Sequence, residues 1–154
     1  MTTILAFSDS HGSPLPQKLL TVAKEADYVL FAGDGASRLG DILLHKHFIG
    51  VDGNCDARVF GKEEIIDVDG VRILLTHGDL YSVKRDLLSL ELRAQELHCS
   101  AVVYGHTHFA SIDEYRNITL ICPGSIAYPM NGTCSYAYIV VHNGKLTAKI
   151  VNIS

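Results

Sequence analysis

The stretch Ile4-Leu5-Ala6-Phe7-Ser8-Asp9-Ser10-His11-Gly12 decides how this chain is read. Four apolar residues run without interruption into a polar turn that carries a carboxylate and an imidazole. The same grammar recurs along the chain. Tyr28–Ala32 leads into Gly33-Asp34-Gly35, and Phe48–Val51 into Asp52-Gly53-Asn54-Cys55-Asp56. Val71–Leu75 leads into Thr76-His77-Gly78, Ala101–Tyr104 into Gly105-His106-Thr107-His108, and Ile118–Cys122 into Pro123-Gly124-Ser125. Short runs rich in Val, Ile, Leu and aromatics, bounded by Gly or Pro, suit strands buried on both faces.

Between some of these runs the apolar period becomes helical. Leu15, Leu19, Val22, Ala23 and Ala26 share one helix face, and Val83, Leu87, Leu90, Ala94 and Leu97 form a longer stripe. Residues 36–46 read as a third, weaker helix. Tyr136–Val141 and Leu146–Val151 flank His142-Asn143-Gly144, and Asn-Gly between two strand-like runs predicts a hairpin. The expected class is α/β with two sheets. Polar loops leave the carboxyl ends of the strands, where open α/β sheets collect ligands.

Composition narrows the functions. At 154 residues the chain fits one domain over 1–154, with no room for a large cap domain. Its 47% hydrophobic and 19% charged residues exclude a disordered chain. A net charge of −4 argues against bulk-charge binding of nucleic acid or anionic membrane. No apolar run approaches the roughly 18–20 residues of a membrane span. Cys55, Cys99, Cys122 and Cys134 show no C-x-x-C spacing, and the N-terminus has no basic start. A cytoplasmic protein without disulfides is expected. The sequons at Asn117 and Asn131 therefore carry little weight.

Five strand ends carry Asp9 and His11, Asp34, Asn54, His77, and His106 with His108. Each offers a donor for a divalent cation. Seven donors exceed what one ion with open positions takes. They suit two ions about 3.5–4 Å apart that share a carboxylate, a device for in-line attack on phosphorus. Two dications less two carboxylates leave roughly +2, which matches one hydroxide and one phosphodiester anion. No Ser/His/Asp triad stands out.

The ordered set D-x-H, G-D, G-N, H-G, G-H-T-H, from Asp9 to about Ser125, resembles the calcineurin-like metallophosphoesterase superfamily. Small size and Gly53-Asn54-Cys55-Asp56 are similar to its small prokaryotic phosphodiesterase branch, which the eukaryotic retromer scaffold subunit also resembles. The resemblance implies a four-layer α/β/β/α sandwich of two mixed sheets flanked by helices. It implies one ion on Asp9, His11 and His108, another on Asn54, His77 and His106, and Asp34 bridging them. It implies in-line attack on a small phosphodiester by a hydroxide that bridges the ions, with Asp34, Asn54, Cys55 and Asp56 as the catalytic set. The mixed ligands favour manganese and also admit nickel, iron, zinc or magnesium. Relatives commonly self-associate, so a homo-oligomer is compatible. A non-catalytic scaffold is the alternative function. A dinuclear amide or thioester hydrolase would show an H-x-H-x-D-H cluster, which is missing.

Three positions depart from the family pattern. Cys55 stands where many members have His, Phe109 where Pro is common, and Met130 where Arg is common. A thiol donates hydrogen bonds weakly, and a missing Arg removes a bidentate phosphate donor. Asp56 either orients Asn54 or caps a turn. His45-Lys46-His47 reads as a solvated helix end, His98 as a helix terminus and His142 as exposed. Tyr81, Phe109 and Tyr128 are loop aromatics that fit either a substrate wall or the core.

Overall fold

The structure, a computed structural model, describes residues 1–153. In chain order the elements are β1 (Thr2–Phe7), α1 (Gln17–Glu25), β2 (Tyr28–Phe31), β3 (Phe48–Gly50), β4 (Glu63–Val68) and β5 (Val71–Thr76), then α2 (Leu88–Glu96), β6 (Ala101–Val103), β7 (Ser111–Tyr115), β8 (Ile118–Cys122), β9 (Cys134–His142) and β10 (Lys145–Ile153). They build two five-stranded mixed sheets, ordered β10-β9-β1-β2-β3 and β4-β5-β6-β8-β7. β1, β2 and β3 run parallel, as do β5, β6 and β8.

The unbroken apolar runs are explained by burial on both faces. In β1, Ile4 and Ala6 point between the sheets, where they meet Ile73, Leu75, Val103 and Ile121. Leu5 and Phe7 point the other way, onto Leu19 and Ala23 of α1. On the far side Leu74, Val102 and Leu120 pack against Leu90 and Ala94 of α2. The layers are therefore helix, sheet, sheet, helix, the α/β/β/α sandwich the sequence implied.

Three local expectations change. The stripe from Val83 to Leu97 becomes helix only from Leu88. Asp86 Oδ1 accepts the Leu88 amide at 3.1 Å, a local turn that competes with helix further upstream. Val83 stays buried but lies in that turn. Residues 36–46 form two short 3-10 turns, Ala36–Arg38 and Gly40–Leu44, rather than one α-helix. Leu39 lies between them, and Gly40 at φ +68° opens the second. β4 and β7 carry no strand signal in the sequence. Both are edge strands with charged residues on their open side, which blunts edge pairing but hides the apolar signal. Their hairpins turn at Asp69-Gly70 and Arg116-Asn117, all four residues at positive φ. Asn143-Gly144 closes β9–β10 as expected. No helix of the described residues is long and apolar enough to cross a membrane.

Candidate metal centre

The loops after β1, β2, β3, β5 and β6 meet at one end of the sandwich. Backbone bonds fix their mutual register. The Asp9 amide donates to Gly33 O at 2.9 Å, the His11 amide to Asp34 O at 3.0 Å, and the Gly105 amide to His77 O at 2.9 Å. Asp9, His11, Asp34, His106 and His108 all take left-handed backbone conformations, with φ of 56°, 47°, 65°, 75° and 60°. Each costs about 1–3 kcal/mol for a residue with a side chain, and such strain collects at functional sites. The surrounding packing holds it.

The side chains form two facing clusters, each with its donor atoms within 4.8 Å of one another. In the first, Asp9 Oδ1 lies 3.4 Å from His108 Nε2 and 3.8 Å from His11 Nε2. The two imidazole nitrogens are 3.1 Å apart. His108 Nδ1 sits 2.8 Å from Tyr128 O, so it donates there and leaves Nε2 with its lone pair inward. In the second, Asp34 Oδ2 lies 3.3 Å from His77 Nε2, which is 3.2 Å from His106 Nδ1. His77 Nδ1 donates to Ala32 O at 2.7 Å and fixes the ring the same way. Asp34 Oδ2 is also 3.6 Å from His11 Nε2, so this carboxylate stands between the clusters.

Asp9 Oδ1 is the atom that tests the fit. Asp9 is fully buried, and Oδ1 has no hydrogen-bond partner. Its other oxygen accepts from Ser8 Oγ at 2.7 Å and the His106 amide at 3.1 Å. A buried carboxylate oxygen left bare is costly, and a divalent cation held between it and the imidazole nitrogens would satisfy it. Oxygen and imidazole donors in two groups fit a pair of divalent ions. Asp34 is likewise held ionised. Burial raises its carboxyl, but the neighbouring His77, the Cys55 amide and His11 outweigh this and keep it far below the usual carboxylate range. Burial, the largest cause, lowers His106, which favours the neutral ring a cation needs.

The Gly53–Asp56 turn completes the centre. Cys55 N donates to Asp34 Oδ1 at 2.9 Å, and Cys55 Sγ lies within 4.8 Å of His11 and Asp34 donor atoms. Burial, then the Asp34 charge, pushes its thiol up, so it stays protonated near neutrality. Asn54 is exposed, its amide nitrogen 3.6 Å from Cys55 Sγ. Asp56 does not face the clusters with a free oxygen. It accepts the amides of Asp34 and Gly53 at 2.8 Å each and of Gly35 and Ala36 at 2.9 Å each. It ties the Asp34 loop to the Asn54 loop.

Gly53 has no room for a side chain. A Cβ there would lie 2.1 Å from Asp34 Oδ1. Gly53→Ala therefore displaces the shared carboxylate. The expected result is metal affinity about 10–100-fold weaker, read by competition with a fluorescent chelator.

Two supporting residues gave no sequence signal. Ser8 bonds Asp9 directly, and Ser125 Oγ donates to Asp9 O at 2.7 Å while accepting the Tyr128 amide at 2.7 Å. His45 and Tyr81 lie apart from the centre, while Tyr128 borders it. His45 is structural, with Nε2 donating to Ala26 O at 2.8 Å. Tyr81 bonds Glu63. Tyr128 stacks edge-on against His11, with ring centroids 6.0 Å apart.

A sequence model of the calcineurin-like phosphoesterase superfamily domain matches residues 2–144. The chain belongs to this superfamily. Among similar members is the probable metallophosphoesterase YsnB of Bacillus subtilis, 36% identical over 152 residues, which cover 95% of this chain and 88% of the relative. Phosphodiesterase YfcE of Escherichia coli is 26% identical over 182 residues, covering 99% and 94%. Vps29 of Entamoeba histolytica, solved in complex with zinc, shares the fold with a TM-score of 0.80 at 22% identity, covering 97% and 98%. The calcineurin-like phosphoesterase assignment thus spans the sequence that carries all seven predicted donors.

Proposed function

We propose that the chain hydrolyses phosphodiesters at a centre of two divalent cations, manganese foremost. Asp9, His11 and His108 would hold one ion, Asn54, His77 and His106 the other, with Asp34 shared. The single observation behind this reading is the partnerless, buried Asp9 Oδ1 facing inward-pointing imidazole nitrogens. Two such ions, when bound, would supply Lewis acidity and an activated water. The protein supplies the geometry: Ser8 and Ser125 pin the Asp9 turn, and Asp56 pins the Asp34 and Asn54 turns. No strong proton donor stands beside Asn54, because the neighbouring Cys55 offers only an S–H, a weak hydrogen-bond donor. This favours substrates whose leaving oxygen departs without a proton, such as aryl diesters. The name YfcE carries, a phosphodiesterase, supports the reaction class.

The four cysteines are all free thiols, which supports a reducing compartment, the cytoplasm.

The test is hydrolysis of bis(p-nitrophenyl) phosphate by chelator-stripped protein before and after reloading with Mn²⁺. Turnover that appears only on reloading is expected. An equal rate in the stripped protein contradicts the proposal. No turnover in the loaded protein, joined to tight capture of a defined protein partner, favours the scaffold alternative.

A further inference from the structure

A cavity of about 700 Å³ opens beside His106 and His108, a size ordinary for a small-molecule site. Its walls are unlike the polar centre next to it. Val83 and Tyr104 are buried along it, and Leu87 adds apolar surface. At its mouth stand Phe109, 51% exposed, and Met130, 73% exposed. Large apolar side chains left open at a pocket rim mark a contact surface for something apolar. A flat ring and a thioether both pack well on an aromatic face.

The cavity carries one strong cation. Lys84 is the only Lys or Arg along its lining, and among the described residues it makes no ion pair. Its charge is felt by both His106 and His108. Lys84 thus lines the same cavity as His106 and His108 and is a cation available to an anion bound there. At the other side Asp113 and Ser111 offer acceptors.

We propose that this cavity is the substrate's specificity pocket. Lys84 would bind a phosphate oxygen, and Phe109 and Met130 would pack on an aromatic ring attached to that phosphate. The substrate class is then phosphodiesters that bear an aromatic or heteroaromatic group, nucleoside phosphodiesters among biological ones, with Asp113 accepting from an amino or hydroxyl group on that moiety. The proposal rests on the phosphodiesterase reading for its chemistry and on the cavity for its specificity.

Calorimetric titration of Mn²⁺-loaded protein with phenylphosphonate and methylphosphonate tests it without turnover. The wild type should bind the phenyl compound about tenfold or more tightly than the methyl compound, since a buried ring gains apolar contact. Phe109→Ala should erase most of that preference. Lys84→Gln should weaken both ligands about tenfold and leave the preference in place, because a lost charge-assisted bond is indifferent to the ring. Metal content should equal the wild type in both variants. A wild type that binds the two alike, a preference that survives Phe109→Ala, or unchanged affinity in Lys84→Gln overturns the proposal. Failure of the loaded wild type to hydrolyse bis(p-nitrophenyl) phosphate while this binding pattern holds would instead remove the phosphodiesterase reading and leave the pocket standing.

Discussion

Asp34→Asn should lower kcat/KM for an aryl phosphodiester by about 10³-fold, with the fold intact. Asp34 is 2% exposed, and its carboxylate reaches both clusters, 3.3 Å from His77 Nε2 and 3.6 Å from His11 Nε2. The amide keeps the shape. Its oxygen still accepts the Cys55 amide, now at 2.9 Å. Its nitrogen, however, carries no negative charge toward the shared position and cannot join two cations. Several kcal/mol of charge stabilisation are lost, and each 1.4 kcal/mol is about tenfold in rate. Kinetics with saturating Mn²⁺, paired with far-UV circular dichroism, check this. Activity within tenfold of wild type would show that Asp34 is not shared.

The second large effect concerns the leaving group. Cys55→His should speed hydrolysis of a diester with an alkyl leaving group by about 10²-fold, the size of a well-placed general acid. It should change the p-nitrophenyl rate only a few-fold, because nitrophenolate leaves without a proton. Cys55 Sγ already lies within 4.8 Å of the His11 and Asp34 donor atoms, so an imidazole grown from this position reaches the same space. The present thiol offers only an S–H, a weak donor to a leaving oxygen. In the wild type an aryl diester should therefore outperform an unactivated alkyl monoester. A uniform change across leaving groups in Cys55→His, or a wild type faster on the monoester, would contradict the role assigned to this position.

What was legible in the sequence follows from what burial writes into it. β1, β2, β5, β6 and β8 are apolar on both faces, so their runs are unbroken and their ends sharp. The polar residues after them then stand out by contrast, which is why the seven donors could be named from type and order. β4 and β7 pack one face at a sheet edge, and a half-buried strand such as Ser111–Tyr115 resembles a loop. Asp56 shows the limit within the site. An Asp after a turn reads alike whether it caps, ligates or accepts three amides of the Asp34 loop and one of its own turn. The left-handed backbone at Asp9 or His106 has no glycine to announce it. Lys84 fell inside an apolar stripe that reads as helix. The helix begins four residues later, and Lys84 instead lines the cavity beside His106.

The central claim is that these seven side chains hold two cations. Equilibrium dialysis of the stripped protein against Mn²⁺, followed by atomic emission analysis, counts them directly. Two ions per chain, falling below two in Asp34→Asn, is the predicted result. A wild-type chain that keeps one ion or none at saturating Mn²⁺ would contradict it.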